Sequence, residues 1–144
     1  MGEEILGPIG FIAVEWPGGH VTGEGFRLLL DVVERGIIRV LDIAFVAKSA
    51  DGAARRIPPA DVRHGGDVDL TIWDGASSGL LDQSDIDQVV AAVAPDSLAG
   101  IVVYENVWAV PMWSALERST ARLVGTGPIQ ADDLIAALDA TEPP

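Results

Sequence analysis

The sequence predicts an α+β domain with helices packed on a sheet, and three observations predict it. Strand-like and helix-like stretches alternate along most of the chain, so neither an all-helical nor an all-strand architecture fits. One turn signal, Ala50-Asp51-Gly52, joins two strand-like runs as a hairpin. The chain has 144 residues and 49% of them are hydrophobic, enough to bury a core of its own. A domain of this size covers roughly 70% of the surface its unfolded chain exposes. Reading the elements in sequence gives strand, helix, strand, strand, irregular middle, helix, strand, helix, strand, helix. That order fits a ferredoxin-like two-layer sandwich, with a mixed sheet of about 4–5 strands, better than a regular doubly wound fold. The expected unit is one domain over residues 1–144, with frayed ends at 1–8 and 141–144.

Each element has a local cause. Ile9 to Trp16 is apolar and strand-like until Pro17-Gly18-Gly19 stops it. Thr22 is placed to cap a helix with Glu24 in its first turn; Phe26, Leu29, Leu30 and Val33 recur at helical spacing before Gly36 ends it. Ile37 to Lys48 is a second strand, rich in branched and aromatic residues, and Ala53 to Ile57 folds back on it. In the punctuated middle, Val68 to Trp73 alternates polar and apolar residues like a short edge strand. Asp82 or Ser84 caps a helix carrying Ile86, Val89, Val90 and Val93, which Pro95-Asp96-Ser97 closes. Ala99 to Glu105 reads as a buried strand, and Trp108 to Ala121 as a helix with Pro111 in its first turn. Arg122 to Thr126 follows as a short strand, and Ala131 to Ala140 as a last helix with Asp132 and Asp133 at its positive end.

Composition removes several functions. A net charge of −13, from 22 acidic against 9 basic residues, repels phosphate backbones, so no nucleic-acid partner is expected. No apolar run approaches the ~20 residues that span a bilayer, and no signal-peptide pattern opens the chain, so the reading is a soluble, cytoplasmic protein without membrane insertion. Zero cysteines exclude disulfides, thiol catalysis and thiolate metal sites, and suit a reducing compartment.

The strands are apolar on both faces. Ile12, Val14 and Trp16 oppose Phe11 and Ala13 in the first; Val40, Ala44 and Val46 oppose Leu41, Ile43 and Phe45 in the second. A two-layer domain covers one sheet face only. The second therefore needs either helices of its own or a partner subunit, and Phe11, Ala13, Leu41, Ile43 and Phe45 are the candidate interface.

Chemistry-bearing residues concentrate in Tyr104-Glu105-Asn106-Val107-Trp108, where a strand hands over to a helix. Glu15, Trp16 and His20 occupy the equivalent end of the first strand. If the two strands are parallel neighbours, these residues, Val107 aside, converge as a ligand pocket at the strand ends. The structural alternative has Asn106 capping the helix, Trp108 and Trp113 packing on the core, and Glu105 pairing with Arg39 or Arg122. Other motifs fail. Gly75-Ala76-Ser77-Ser78-Gly79 matches the nucleophile-elbow string, but both histidines, His20 and His64, precede Ser77, and a flexible loop explains it better. Asp82, Asp85 and Asp87 lack the rest of a calcium loop, and two separated histidines without cysteine make no metal site expected. Gly125-Thr126-Gly127-Pro128 lacks the acid and the amide of a dinucleotide fingerprint, so no cofactor is expected.

The runs GIIRVLDIAFVAKSADG, DIDQVVAAVAPDSLAGIVVYE and ARLVGTGPIQADDLIAAL, in that order, resemble the bacterial domain of unknown function 6325 family and, more distantly, the domain of unknown function 1269 family. The resemblance covers nearly the whole chain and implies an α+β fold without an established activity, and no catalytic residues come with it. The hydrophobic middle segment of the more distant family is replaced here by DVRHGGDVDLTIWDGASSG, too polar to insert into a membrane. Together these readings favour a non-catalytic protein acting through homo-oligomerisation or a protein partner. The competing reading is a small-molecule binder or enzyme using Glu15, Glu105 and Trp108.

Overall fold

A computed structural model describes residues 6–66, 68–76, 78–121, 124 and 131–141. It is an α+β arrangement whose strands are β1 (Ile9–Pro17), β2 (Arg39–Lys48), β3 (Ala54–Ile57) and β4 (Ser97–Glu105). They form one sheet in the order β1-β4-β2-β3, antiparallel at every pairing. The sheet is thus antiparallel rather than mixed. Helix α1 (Glu24–Glu34) links β1 to β2, α2 (Gln83–Ala92) precedes β4, and α3 (Val110–Arg118) and α4 (Ala131–Thr141) follow it. Because β1 and β2 both run opposite to β4, they are parallel to each other with β4 between them, which is a split βαβ unit. The strand expected over Arg122 to Thr126 lies outside the described residues, apart from Val124, which is in no strand.

Both faces of the inner strands are covered from within the chain. On one, Phe26 of α1 packs with Ile43 and Phe45 of β2 and with Val62, Val68, Leu70 and Trp73 of the middle segment. On the other, Ile86 of α2 packs with Val46 of β2 and Ile101 of β4. The two-layer expectation therefore gives way to helices on both faces. Ile43 and Phe45 are core residues, not an interface. A register shift between Val40 and Asp42 also puts Leu41 at a bulge. One extra residue in a strand reverses the alternation beyond it, so Val40 shares the face of Ile43 and Phe45 instead of opposing it.

Local chemistry accounts for the helix ends. Asp82 and Asp85 form a reciprocal capping box at the start of α2, each carboxylate accepting the other's backbone N–H at 2.9 and 3.0 Å. At its far end, Lys48 Nζ donates to the Val90 and Val93 carbonyls at 2.8 and 2.9 Å, placing a cation where the helix dipole is negative. Thr22 does not cap α1. Gly23 holds that position with φ 88°, and a Cβ on it would lie 2.4 Å from the Gly66 amide, so the close crossing of two backbones selects glycine there.

The stretch expected as an edge strand, Val68 to Trp73, forms a 3-10 turn over Leu70–Trp73 instead. Asp69 accepts from the Thr71 amide and hydroxyl, a local bond that competes with strand pairing, and the two apolar anchors Leu70 and Trp73 stand three apart on one side of the turn. The following loop is pinned rather than flexible at Ser78, whose amide and hydroxyl both donate to the buried Asp42 carboxylate. Ser77, the centre of the elbow motif, is outside the described residues.

Candidate functional site

The strand-end pocket does not assemble, because β1 and β4 are neighbours but antiparallel. Glu105 stands opposite Ile9 and Glu15 opposite Ala99, so the two strand ends lie at opposite ends of the sheet. The path from Ile9 to Glu15 along β1 is about 20 Å at strand rise. Each member of the expected pocket has another role or place. Glu105, 4% exposed, accepts the Gly7 amide at 2.8 Å and pairs with Arg39 at 2.9 Å. Asn106 makes no helix cap; its backbone and side-chain N–H groups both donate to the Pro8 carbonyl, while its Oδ1 accepts from the Trp108 indole at 3.1 Å. Gly7 and Pro8, expected to fray, are thereby tied down at the mouth of β1. Trp108 is exposed and Trp113 half-buried, so neither is a core residue. Glu15 accepts the Ala94 amide at 2.6 Å just past α2.

Trp16 and Tyr104 do share a site, of a different kind. They stand toward opposite ends of an apolar cleft of about 460 Å³ between α1 and the sheet. Ile12, Val14 and Val102 line its sheet side, and Leu28, Leu29 and Val32 its helix side. Gly100 lies in the cleft wall under the Trp16 ring, where a Cβ would come 2.8 Å from the indole, and Gly10 lies against the Tyr104 ring that borders the cleft, where a Cβ would come 3.0 Å from the hydroxyl. Aromatic rings folded over strand glycines leave a flat, wide surface that α1 spans without filling. The cleft follows β4 from Gly100 to Tyr104, about 13 Å at strand rise. Trp16 itself packs on Phe26 and Phe45 with ring centroids 5.9 and 6.4 Å apart.

Beside one end of the cleft the two histidines come together. His20, Arg63 and His64 line an open depression of about 320 Å³ with Gly19, Val21 and Thr22, and Val21 and Thr22 also line the cleft. His64 sits edge-on to Phe26, and its Nδ1 accepts the Gly66 amide at 3.1 Å. Among the described residues no group of three or more His, Cys, Asp or Glu side chains is placed to hold a metal ion. No described helix is long and apolar enough to cross a membrane.

The exposed apolar residues of the expected interface are those of β1. Phe11 is 65% exposed and Ala13 is exposed, both on the face away from α1, while Ile12 is 52% exposed on the cleft side. No family model, no curated protein and no solved structure matches this chain.

Sequence reasoning missed the cleft and its cationic end. Its trace in the chain is the excess of apolar residues in α1, where Leu28 and Val32 extend the hydrophobic stripe beyond Phe26, Leu29, Leu30 and Val33, together with glycines inside two strands. Asp42, an isolated carboxylate in the run VLDIAFVA, was the signal for the buried tie to Ser78.

Proposed function

We propose that the protein acts without catalysis, by pairing the outer edge of β1 with β1 of a second copy about a twofold axis. One observation carries the reading: an edge strand of nine residues with Ile9, Phe11, Ile12 and Val14 all exposed and no other described strand beyond it. Such an edge is a template for strand addition, and an isologous dimer removes two at once. Its single charged residue, Glu15, is already engaged by Ala94. The pairing would extend the sheet across two subunits and shelter Phe11 and Ala13 from water. The resemblance to domain of unknown function 6325 and a cytoplasmic setting, for which the absence of cysteine speaks, belong to the same proposal.

The test is absolute mass by light scattering coupled to size exclusion, over a range of concentrations, on the wild type and Phe11→Lys. The expected result is a dimer for the wild type and a monomer of unchanged stability for the variant. A wild-type monomer at every concentration would remove the proposal.

A further inference from the structure

We propose that the cleft under α1 binds an amphipathic anion, an alkyl chain ending in a carboxylate or a comparable single anionic group. The proposal goes beyond β1 pairing and does not rest on it, although Ile12 and Val14 of β1 line the cleft. Volume and lining fit the apolar part. The cleft holds about 460 Å³ and its surface is almost entirely hydrocarbon. That is the size and character of an ordinary small-ligand pocket. Its lining runs along β4 from Gly100 to Tyr104, about 13 Å at strand rise, a length that accommodates an alkyl chain.

The head group follows from what adjoins the cleft. Val21 and Thr22 form a shared wall, and beyond it stand His20, Arg63 and His64. Arg63 is exposed and has no ion pair among the described residues. With its Nδ1 accepting from Gly66, a neutral His64 carries its proton on Nε2 and is a donor there. A guanidinium and imidazole donors gathered beside an apolar slot are unusual in a chain of net charge −13. Among the described residues no carboxylate lines this depression, whereas the neighbouring one, which also contains Arg63 and Lys48, includes Asp61 and Asp96. An alkyl chain lying along Val102 and Leu29 would thus end at donors rather than at acids. The long-range field of the protein opposes an anion, so a preference for one has to arise from these local donors.

Isothermal titration with decanoate, decanol and decylammonium below their micellar concentrations separates the two contributions. The expected order of affinity is decanoate, then decanol, then decylammonium. Arg63→Gln, a surface change that leaves the core untouched, should weaken decanoate by about fivefold and leave decanol unaltered. Val32→Phe should fill the helix side of the cleft and weaken all three. Light scattering on the same samples reads subunit mass, so ligand binding and self-association are followed independently. Absence of saturable binding by any of the three would overturn the proposal. Tightest binding by decylammonium would overturn the assignment of the head-group site. Decanoate binding indifferent to both substitutions would place the ligand elsewhere and overturn it as well.

Discussion

The two edges of the sheet meet solvent in opposite ways. β3 has four residues, carries Arg55 and Arg56, and is bounded by the Gly52 turn on one side and Pro58-Pro59 on the other. Shortness, charge and proline are the ordinary means by which an edge avoids accidental pairing. β1 has nine residues, four exposed large apolar side chains and one carboxylate that is already occupied. The contrast shows that edge protection in this molecule is selective. Among the described residues, one edge is closed by its composition, and the other carries exposed apolar side chains with no strand beyond it.

Phe45 is the residue on which both edges depend. It stands opposite Ile57 of β3, stacks with Trp16 of β1 and is 1% exposed. Phe45→Ala should cost about 4 kcal/mol, through lost transfer energy and the cavity left behind, and chemical denaturation would read it as an early, cooperative loss of the whole sheet. If the loss fell far below that, the edges would be held independently of the shared core.

Glu105→Ala acts on the β1 edge. It removes the acceptor of the buried Gly7 amide and frees Arg39, which is half exposed and can be hydrated. Leaving one buried donor unpaired should cost about 2 kcal/mol, seen in the urea midpoint, with faster hydrogen exchange at Gly7 and the start of β1 than at β3. Equal acceleration at both edges would show that the tie supports the fold generally rather than β1.

Phe11→Lys replaces an exposed side chain. It should change stability by no more than about 0.5 kcal/mol while converting dimer to monomer. The complementary pair Arg55→Val and Arg56→Thr should make β3 as open as β1, and mass growth beyond a dimer is the expected outcome.

The smallest effect lies in the turn before β3. The Ser49 hydroxyl, and then the Ala53 amide, hold the Asp51 carboxyl below its usual 3.8. A depressed carboxyl contributes stability that is fully present above the unfolded pKa and lost as pH falls through the folded one. Wild type should therefore lose a small advantage over Asp51→Ala between about pH 5 and the strongly acidic range, measured by denaturation at each pH. A constant difference across that range would assign the turn's stability to backbone geometry alone.

Much of the fold was legible because it depends on neighbours in the chain. The Asp82 cap, the helical spacing of Phe26, Leu29 and Leu30, and the Asp51-Gly52 turn each rest on contacts a few residues apart. The candidate pocket was less legible because it assumed a relation between distant strands. Period-two alternation is the same in parallel and antiparallel sheets, so the run ending at Glu105 could not reveal which way it faces its neighbour. The bulge at Leu41 was hidden for a related reason: an inserted residue among consecutive apolar residues leaves no break in the pattern.

By itself, the sequence determined where β1, α1, the hairpin and α2 form, that a core is available without disulfides, and that the surface is strongly acidic. Those follow from local propensity, capping and composition, which act within a turn or two of chain. The tertiary structure alone decided that β4 enters between β1 and β2, that helices cover both faces of the inner strands, and that His20 and His64 line one depression beside an apolar cleft. Pairing of remote strands and the gap between helix and sheet are set by how side chains of distant segments fill shared space, and that information resides in no single stretch of chain.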